Sequence, residues 1–172
     1  MKSTDTSNNG WAVWFTELPG SGKSRLSQTV FEMLAGDRIV CERIEMDAIR
    51  KQYVQHPEYT DEERDFVYEK LVDFAEKGVK NNKNIIIDAT AHKRLYREMA
   101  RNKIKRFIEV IVRCPLSICI ERESKREKGL VVAQMYQKAL ERKKLRRAIS
   151  YRTRCRSCLG IDSLFSLVYK CS

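Results

Sequence analysis

The stretch WFTELPGSGKSRL, from Trp14 to Leu26, sets an apolar run, a turn holding Gly20 and Gly22, and the triplet Gly22-Lys23-Ser24 in direct succession. It meets all but one position of the pattern G-x-x-x-x-G-K-[ST], whose backbone N–H groups cradle phosphates. The position that the pattern gives to its first glycine holds Glu17. Ahead of the turn, WAVWFT (11–16) is apolar and β-favouring; behind it, SRLSQTVFEMLAG carries Leu26, Val30, Phe31 and Leu34 at helical spacing, with Gly36 as a stop. Strand, turn and helix in that order are the context this chemistry needs. N–H groups from Gly20 to Ser24 gather round an anion at the positive end of the following helix, and the glycines remove the Cβ atoms that would block approach. Leu18, Pro19, Gly20, Ser21, Gly22, Lys23, Ser24 and Arg25 are therefore the expected nucleotide-binding residues, with ATP as the expected nucleotide. Lys23 would reach the β- and γ-phosphates, and Ser24 would offer its hydroxyl to Mg²⁺. Glu17 is expected to weaken this loop without silencing it. A carboxylate about 6 Å from a phosphate charge costs roughly 3 kcal/mol at an effective dielectric near 20, but the side chain has room to point away.

Working outward, RIVCERIEMD (38–47) reads as a second strand ending at Asp47. In TDEERDFVYEKLVDFAEKGVKNN, Thr60 and Glu63 form a capping box, and Phe66, Val67, Leu71, Phe74 and Ala75 make one apolar face. NIIIDAT (84–90) has the isoleucine run of a buried parallel strand. A basic helix over 93–102, a strand over 106–114 and a helix opened by Pro115 follow. A charged stretch, SKREKG, leads to a long helix near 130–147, and SLFSLVYK is a candidate last strand. Strands alternating with helices predict an α/β fold of the P-loop NTPase type, a parallel sheet with helices on both faces. The expected organisation is a flexible leader over 1–10 and a single domain over 11–172. That domain would include a lid near 122–130 and an atypical tail over 149–172.

Ligands of such sheets bind beyond the carboxyl ends of the strands, where the loop, Asp47 and Asp88 all fall. Asp47 is the candidate catalytic carboxylate: it can take the proton of an acceptor hydroxyl, hold that hydroxyl for attack, or join the Mg²⁺ shell. Asp88, after three isoleucines, is either a metal-facing aspartate or a hydrogen-bond anchor. Arg50, one helical turn beyond Asp47, and Arg64 are candidates to clamp a substrate anion, since guanidinium binds phosphate in bidentate fashion. Lys125, Arg126 and Lys128 are candidates for a cover that brings positive charge over the γ-phosphate. His56 and His92 have no metal-site spacing and read as surface residues.

A net charge of +11 favours anionic partners, and much of it lies in HKRLYREMARNKIKR and ERKKLRRAISYRTRCR, which read as solvated helix faces. Nucleic acid is a partner the charge permits without selecting it. No run approaches the about 20 apolar residues of a membrane helix, and the polar start MKSTDTSNNG lacks the apolar core of a secretory signal. A cytoplasmic location is the expectation. Of the six cysteines, Cys41, Cys114 and Cys119 sit in apolar surroundings as reduced core residues, and Cys155 and Cys158 form a lone C-x-x-C.

The chain resembles the adenylyl-sulfate kinases. WAVWFTELPGSGKSRLS is similar to their W-F-T-G-L-[SP]-G-[AS]-G-K-S/T; EMDAIR resembles D-G-D-x-x-R; YTDEERD resembles F-S-x-x-D-R. FIEVIVRCPLSICIER resembles F-I-E-V-x-V-x-x-P-L-x-x-C-x-x-R, and KGL (128–130) and GIDS (160–163) are similar to two later segments. The resemblance runs from Trp11 to about Ser163. It implies transfer of the γ-phosphate of ATP to the 3′-hydroxyl of adenylyl sulfate, giving the activated sulfate donor. Asp47 would orient or deprotonate that hydroxyl, and Lys23 with Mg²⁺ would stabilise the transferred group. Arg50, Arg64 and Lys128 would lie on the substrate side, and a homodimer would be common. The chain departs from the family at Glu17, at Glu45 in place of the first aspartate, and at Val67, Tyr68, Glu69 and Lys70 in place of N-I-R-R. DATAHKR stands in place of S-F-I-S-P-Y-R. A P-loop kinase of another hydroxyl, on a nucleic-acid end or an aminoacylated tRNA, and a non-catalytic nucleotide- or RNA-binding module are the alternatives.

Overall fold

The computed structural model describes residues 10–125. Four strands, β1 (Ala12–Thr16), β2 (Cys41–Glu45), β3 (Asn84–Asp88) and β4 (Phe107–Ile111), form one parallel sheet in the order β2-β3-β1-β4. Five helices connect them: α1 (Lys23–Gly36), α2 (Met46–Tyr53), α3 (Asp61–Lys80), α4 (Arg94–Lys103) and α5 (Leu116–Ser124). Period-two alternation splits the central strands between two cores. Val13, Phe15 and Ile86 pack with Val30 and Leu34 of α1 on one face. Trp14, Ile85 and Ile87 pack with α3 and α4 on the other, through Val67, Leu71, Ala75, Tyr96 and Ala100. Helices therefore cover both faces of the described sheet. Each fully buried isoleucine stabilises the fold by about 1.5–3 kcal/mol of apolar transfer, and Ile85, Ile86 and Ile87 are all wholly buried.

The register puts the chemistry at one edge. Phe15 lies beside Asp88, and Glu45 beside Asp88 on the other flank. The Trp14 indole donates to Ala89 O at 3.0 Å and the Thr16 hydroxyl to Thr90 O at 2.7 Å, so the exits of β1 and β3 are tied together just before the glycine turn.

Several boundaries differ from expectation. The second strand ends at Glu45, and Asp47 already sits in the first turn of α2, a helix legible in the sequence only from the one-turn spacing of Asp47 and Arg50. MDAIRKQY is only eight residues long and buries only Ile49. Phe66, expected on the apolar face of α3, is exposed and meets the Tyr53 ring edge-on at 6.4 Å. Gly36 closes α1 from inside the helix. Gly10, assigned to the leader, is buried against Lys83. The lid expected near 122–130 begins as helix, with Arg122 to Ser124 in α5 and Lys125 as its cap. Arg126, Lys128, the long helix, the tail and Cys155, Cys158 and Cys171 lie outside the described residues.

Candidate functional site

The turn between β1 and α1 adopts the geometry that its glycines predict. Gly20 and Gly22 have φ of 78° and 93°, left-handed values that side chains resist. Gly20 is constrained twice, because a Cβ there would lie 2.5 Å from the Cys119 carbonyl oxygen. Gly22 caps α1 with no side-chain hydrogen bond, and no acidic residue stands in the first turn. The helix therefore presents its N–H groups and positive end uncompensated, as a phosphate requires. Ser21 is buried; its N–H donates to Leu18 O at 3.2 Å, and its hydroxyl has no partner. Lys23 and Ser24 open the helix, with Ser24 and Arg25 exposed, and Leu18 and Pro19 line the half-buried turn. Arg122 reaches back from α5 to donate to Gly20 O at 3.2 Å. Sequence spacing placed that arginine in a lid, and its contact across 102 residues has no local signal.

Glu17 fits this turn more easily than its type suggests. Its φ is 158°, at the edge of the range that disfavours a side chain and far from the left-handed values of Gly20 and Gly22. Its carboxylate folds back to accept the Leu18 N–H at 3.2 Å. Burial pushes the neighbouring Cys119 thiol up, and Cys114 and the Glu17 charge add to that shift. The remaining handicap is electrostatic. Glu17→Gly should tighten nucleotide binding by about three- to tenfold with a nearly unchanged melting temperature; a fluorescent-nucleotide titration beside a thermal melt reads both.

Asp88 lies under the first turn of α1 with its side chain 4% exposed. Its Oδ2 accepts from Arg43 Nη2 at 2.7 Å and from the Ser27 hydroxyl at 3.3 Å, whereas its Oδ1 is buried without a partner. The anchor reading of Asp88 accounts for one oxygen of the carboxylate and leaves the other without a partner. An unpartnered oxygen on a carboxylate whose arginine also reaches Ser24 O suits Mg²⁺, which takes one or two protein oxygens and completes its shell with phosphates and water. Among the described residues no group of three or more His, Cys, Asp or Glu could hold an ion. Asp47, the third expected metal-facing residue, is exposed on α2.

Arg50 extends from α2 with its side chain 12% exposed. It pairs with Glu63 at 3.1 Å and lies 4.7 Å over the Tyr59 ring. Thr60 caps α3 as expected, its hydroxyl accepting the Glu63 N–H at 3.1 Å. The return bond of the box goes elsewhere: Glu63 accepts from the N–H groups of Glu58 and Tyr59 at 2.6 and 2.8 Å. Those bonds hold Tyr59 at φ 59°, a conformation a bulky residue adopts only when held. Arg64, in the first turn of α3, pairs with Asp61 at 3.3 Å.

Behind these residues the Tyr68 ring stacks on Tyr96 at 3.8 Å, with His92 edge-on to both, so His92 joins an aromatic cluster instead of standing free on the surface. Burial raises the Tyr68 hydroxyl to about 12 despite the Ala91 N–H bond and the charges of Arg50, Arg64 and Arg97. Arg97, which sequence reasoning missed, donates to Ala91 O and pairs with Glu109, and so lies beside the Ala91 turn that Tyr68 holds. Because the folded value lies above the ordinary 10, the stability this group contributes is complete below pH 10 and is lost as pH climbs through 12. A Tyr68→Phe variant, although destabilised at neutral pH by the unpaired Ala91 N–H, should lose less further stability between pH 10 and 12 than the parent does, measured by denaturant melts followed by circular dichroism.

The basic run of α4 is largely paired. Arg94 meets Glu98, Arg97 and Arg101 share Glu109, Lys103 meets Asp73, and Lys93 meets Asp65. Such a face resembles the expected solvated helix more than a free patch for nucleic acid. Among the described residues no helix is long and apolar enough to cross a membrane.

A family model described as adenylylsulphate kinase matches residues 9–146. The probable adenylyl-sulfate kinase of Archaeoglobus fulgidus is 28% identical over 115 residues, covering 67% of this chain and 74% of its own length. That of Pseudomonas aeruginosa is 30% identical over 131 residues, covering 76% of this chain and 58% of its own. The chain thus spans less than two thirds of the second relative. Among solved structures, the Mycobacterium tuberculosis APS kinase in complex with AMPPNP and APS superposes with a TM-score of 0.64 at 22% identity, over 94% of this chain and 96% of that one, a likeness of fold.

Proposed function

The chain belongs to the adenylylsulphate kinase family, and from that premise we propose that it transfers the γ-phosphate of ATP to the 3′-hydroxyl of adenylyl sulfate. One observation carries the reading. An acid-free helix start at Gly22-Lys23-Ser24, with no side-chain cap, and the short helix α2 that carries Asp47 and Arg50 both begin at the carboxyl edge of the same parallel sheet.

The division of labour follows from those positions. Loop N–H groups and Lys23 bind the β- and γ-phosphates and steady the charge that spreads over the transferred group. Asp47 accepts the proton of the acceptor hydroxyl as its oxygen bonds to phosphorus and the bond to the β-phosphate oxygen breaks. Arg50 and Arg64 hold the anionic part of the acceptor. Arg50 is preset for this by Glu63 and Tyr59, which limit the rotamer freedom lost on binding. Ser24 and Asp88 Oδ1 would hold Mg²⁺, which supplies charge neutralisation on the phosphate oxygens.

Calorimetric titration of adenylyl sulfate into the protein loaded with ADP and Mg²⁺ tests the acceptor. The expected result is saturable binding that weakens by about 10–100-fold in Arg50→Ala and in Arg64→Ala. Absence of binding in the parent, with ADP still bound, would reject adenylyl sulfate as the acceptor.

A further inference from the structure

Arg43 has no part in the transfer just described, yet it is built into the same edge. Alternation along β2 turns Arg43 and Glu45 to the face that α1 covers. Its Nε donates to the Ser27 hydroxyl at 3.1 Å, its Nη2 to Asp88 Oδ2 at 2.7 Å and to Ser24 O at 3.5 Å, and its Nη1 pairs with Glu45. The Arg43 side chain is 14% exposed and that of Asp88 4%. A guanidinium that meets a carboxylate alone takes both oxygens in a fork. This one takes Oδ2 and directs its other branch to Glu45, so Oδ1 stays buried and unpartnered.

We propose that Arg43 is the built-in counter-cation of Asp88: it fixes the carboxylate through Oδ2, leaves Oδ1 to a divalent metal, and opposes that metal with its own charge. The inference rests on the nucleotide and metal reading of the loop given above. A buried carboxylate without a counter-charge is strongly destabilising, and Arg43 supplies that charge while the metal is away. When the ion arrives with the nucleotide, two cations share one carboxylate where water screens them little, and the ion is held less tightly than at a site without the arginine. Arg43 is a positioning residue. It acts through Asp88, and its contact with Ser24 O ties the same guanidinium to the turn whose hydroxyl faces the ion.

The test is Mn²⁺ binding to the full chain loaded with ADP, read by electron paramagnetic resonance, with a thermal melt of the nucleotide-free protein beside it. Arg43→Met should bind Mn²⁺ about tenfold more tightly than the parent and melt earlier when nucleotide-free. Arg43→Lys, which keeps the charge, should stay within about twofold of the parent. The double variant Arg43→Met/Asp88→Asn should lose the gain in affinity and recover melting temperature. Arg43→Gln removes the charge but keeps a donor, and must also bind Mn²⁺ more tightly, which preserves the test if the methionine variant fails to fold. Unchanged or weaker Mn²⁺ affinity in a folded charge-free variant, with ADP bound, overturns this inference alone. Failure of the parent to bind ADP overturns it together with the nucleotide reading.

Discussion

Gly20→Ala is expected to weaken nucleotide binding by at least about a hundredfold and to destabilise the fold by about 2–4 kcal/mol. Two independent penalties meet at this position. The φ of 78° disfavours any Cβ, and the Cβ itself would lie 2.5 Å from Cys119 O, a backbone atom that cannot rotate away. The β1–α1 turn or the start of α5 must therefore move, and either shift disturbs the Arg122 bond to Gly20 O. Gly22→Ala separates the two effects: its φ of 93° is also strained, but the added Cβ would meet only the flexible tip of Arg122, at 3.7 Å. That variant should lose less stability than Gly20→Ala. Gly36→Ala is the control, since nothing lies within 4 Å of its added methyl, and in a helix alanine stabilises by about 0.5–1 kcal/mol over glycine. Thermal melts and titration with a fluorescent ADP analogue read all three.

Asp47→Ala should reduce turnover by about a thousandfold while leaving nucleotide affinity and melting temperature near those of the parent. The side chain is exposed at the first turn of α2, so its removal opens no cavity. Its loss should fall on kcat, because a group that takes the acceptor proton acts in the transition state and not in nucleotide binding. A variant with equal losses in stability and turnover would instead identify Asp47 as a structural cap. Steady-state kinetics with a parallel melt distinguishes the two outcomes.

What the sequence made legible was whatever is encoded locally. The glycine-rich turn, the Thr60 cap and the isoleucine strand each rest on residues within one turn or strand, and all three stand in the fold. The α2 helix was legible only in the one-turn spacing of Asp47 and Arg50, because its eight residues bury a single side chain and directly follow a strand. Phe66 was misplaced because the face of a helix says what is apolar, not what covers it; Tyr53 covers that end of α3 and the core does not. Arg43, Arg97 and Arg122 were missed for a different reason. Their partners lie in other elements, with Asp88 45 residues from Arg43 and Gly20 102 residues from Arg122. The alternation that puts Arg43 on the face of Glu45 was the one available signal, and it pointed to a shared face without naming Asp88. Glu17 shows the limit of a motif read by residue type: its backbone angle differs from the left-handed values of Gly20 and Gly22, and its carboxylate turns back to accept the Leu18 N–H.

The most direct test of the central claim is transfer of label from γ-labelled ATP to adenylyl sulfate in the presence of Mg²⁺, with the position of the new phosphate determined on the product. Label is expected on the 3′-oxygen of adenylyl sulfate, abolished in Asp47→Ala and increased in Glu17→Gly. No label on adenylyl sulfate from either the parent or Glu17→Gly, while both bind ATP, would contradict it and leave this chain a nucleotide-binding member of its family with a different acceptor.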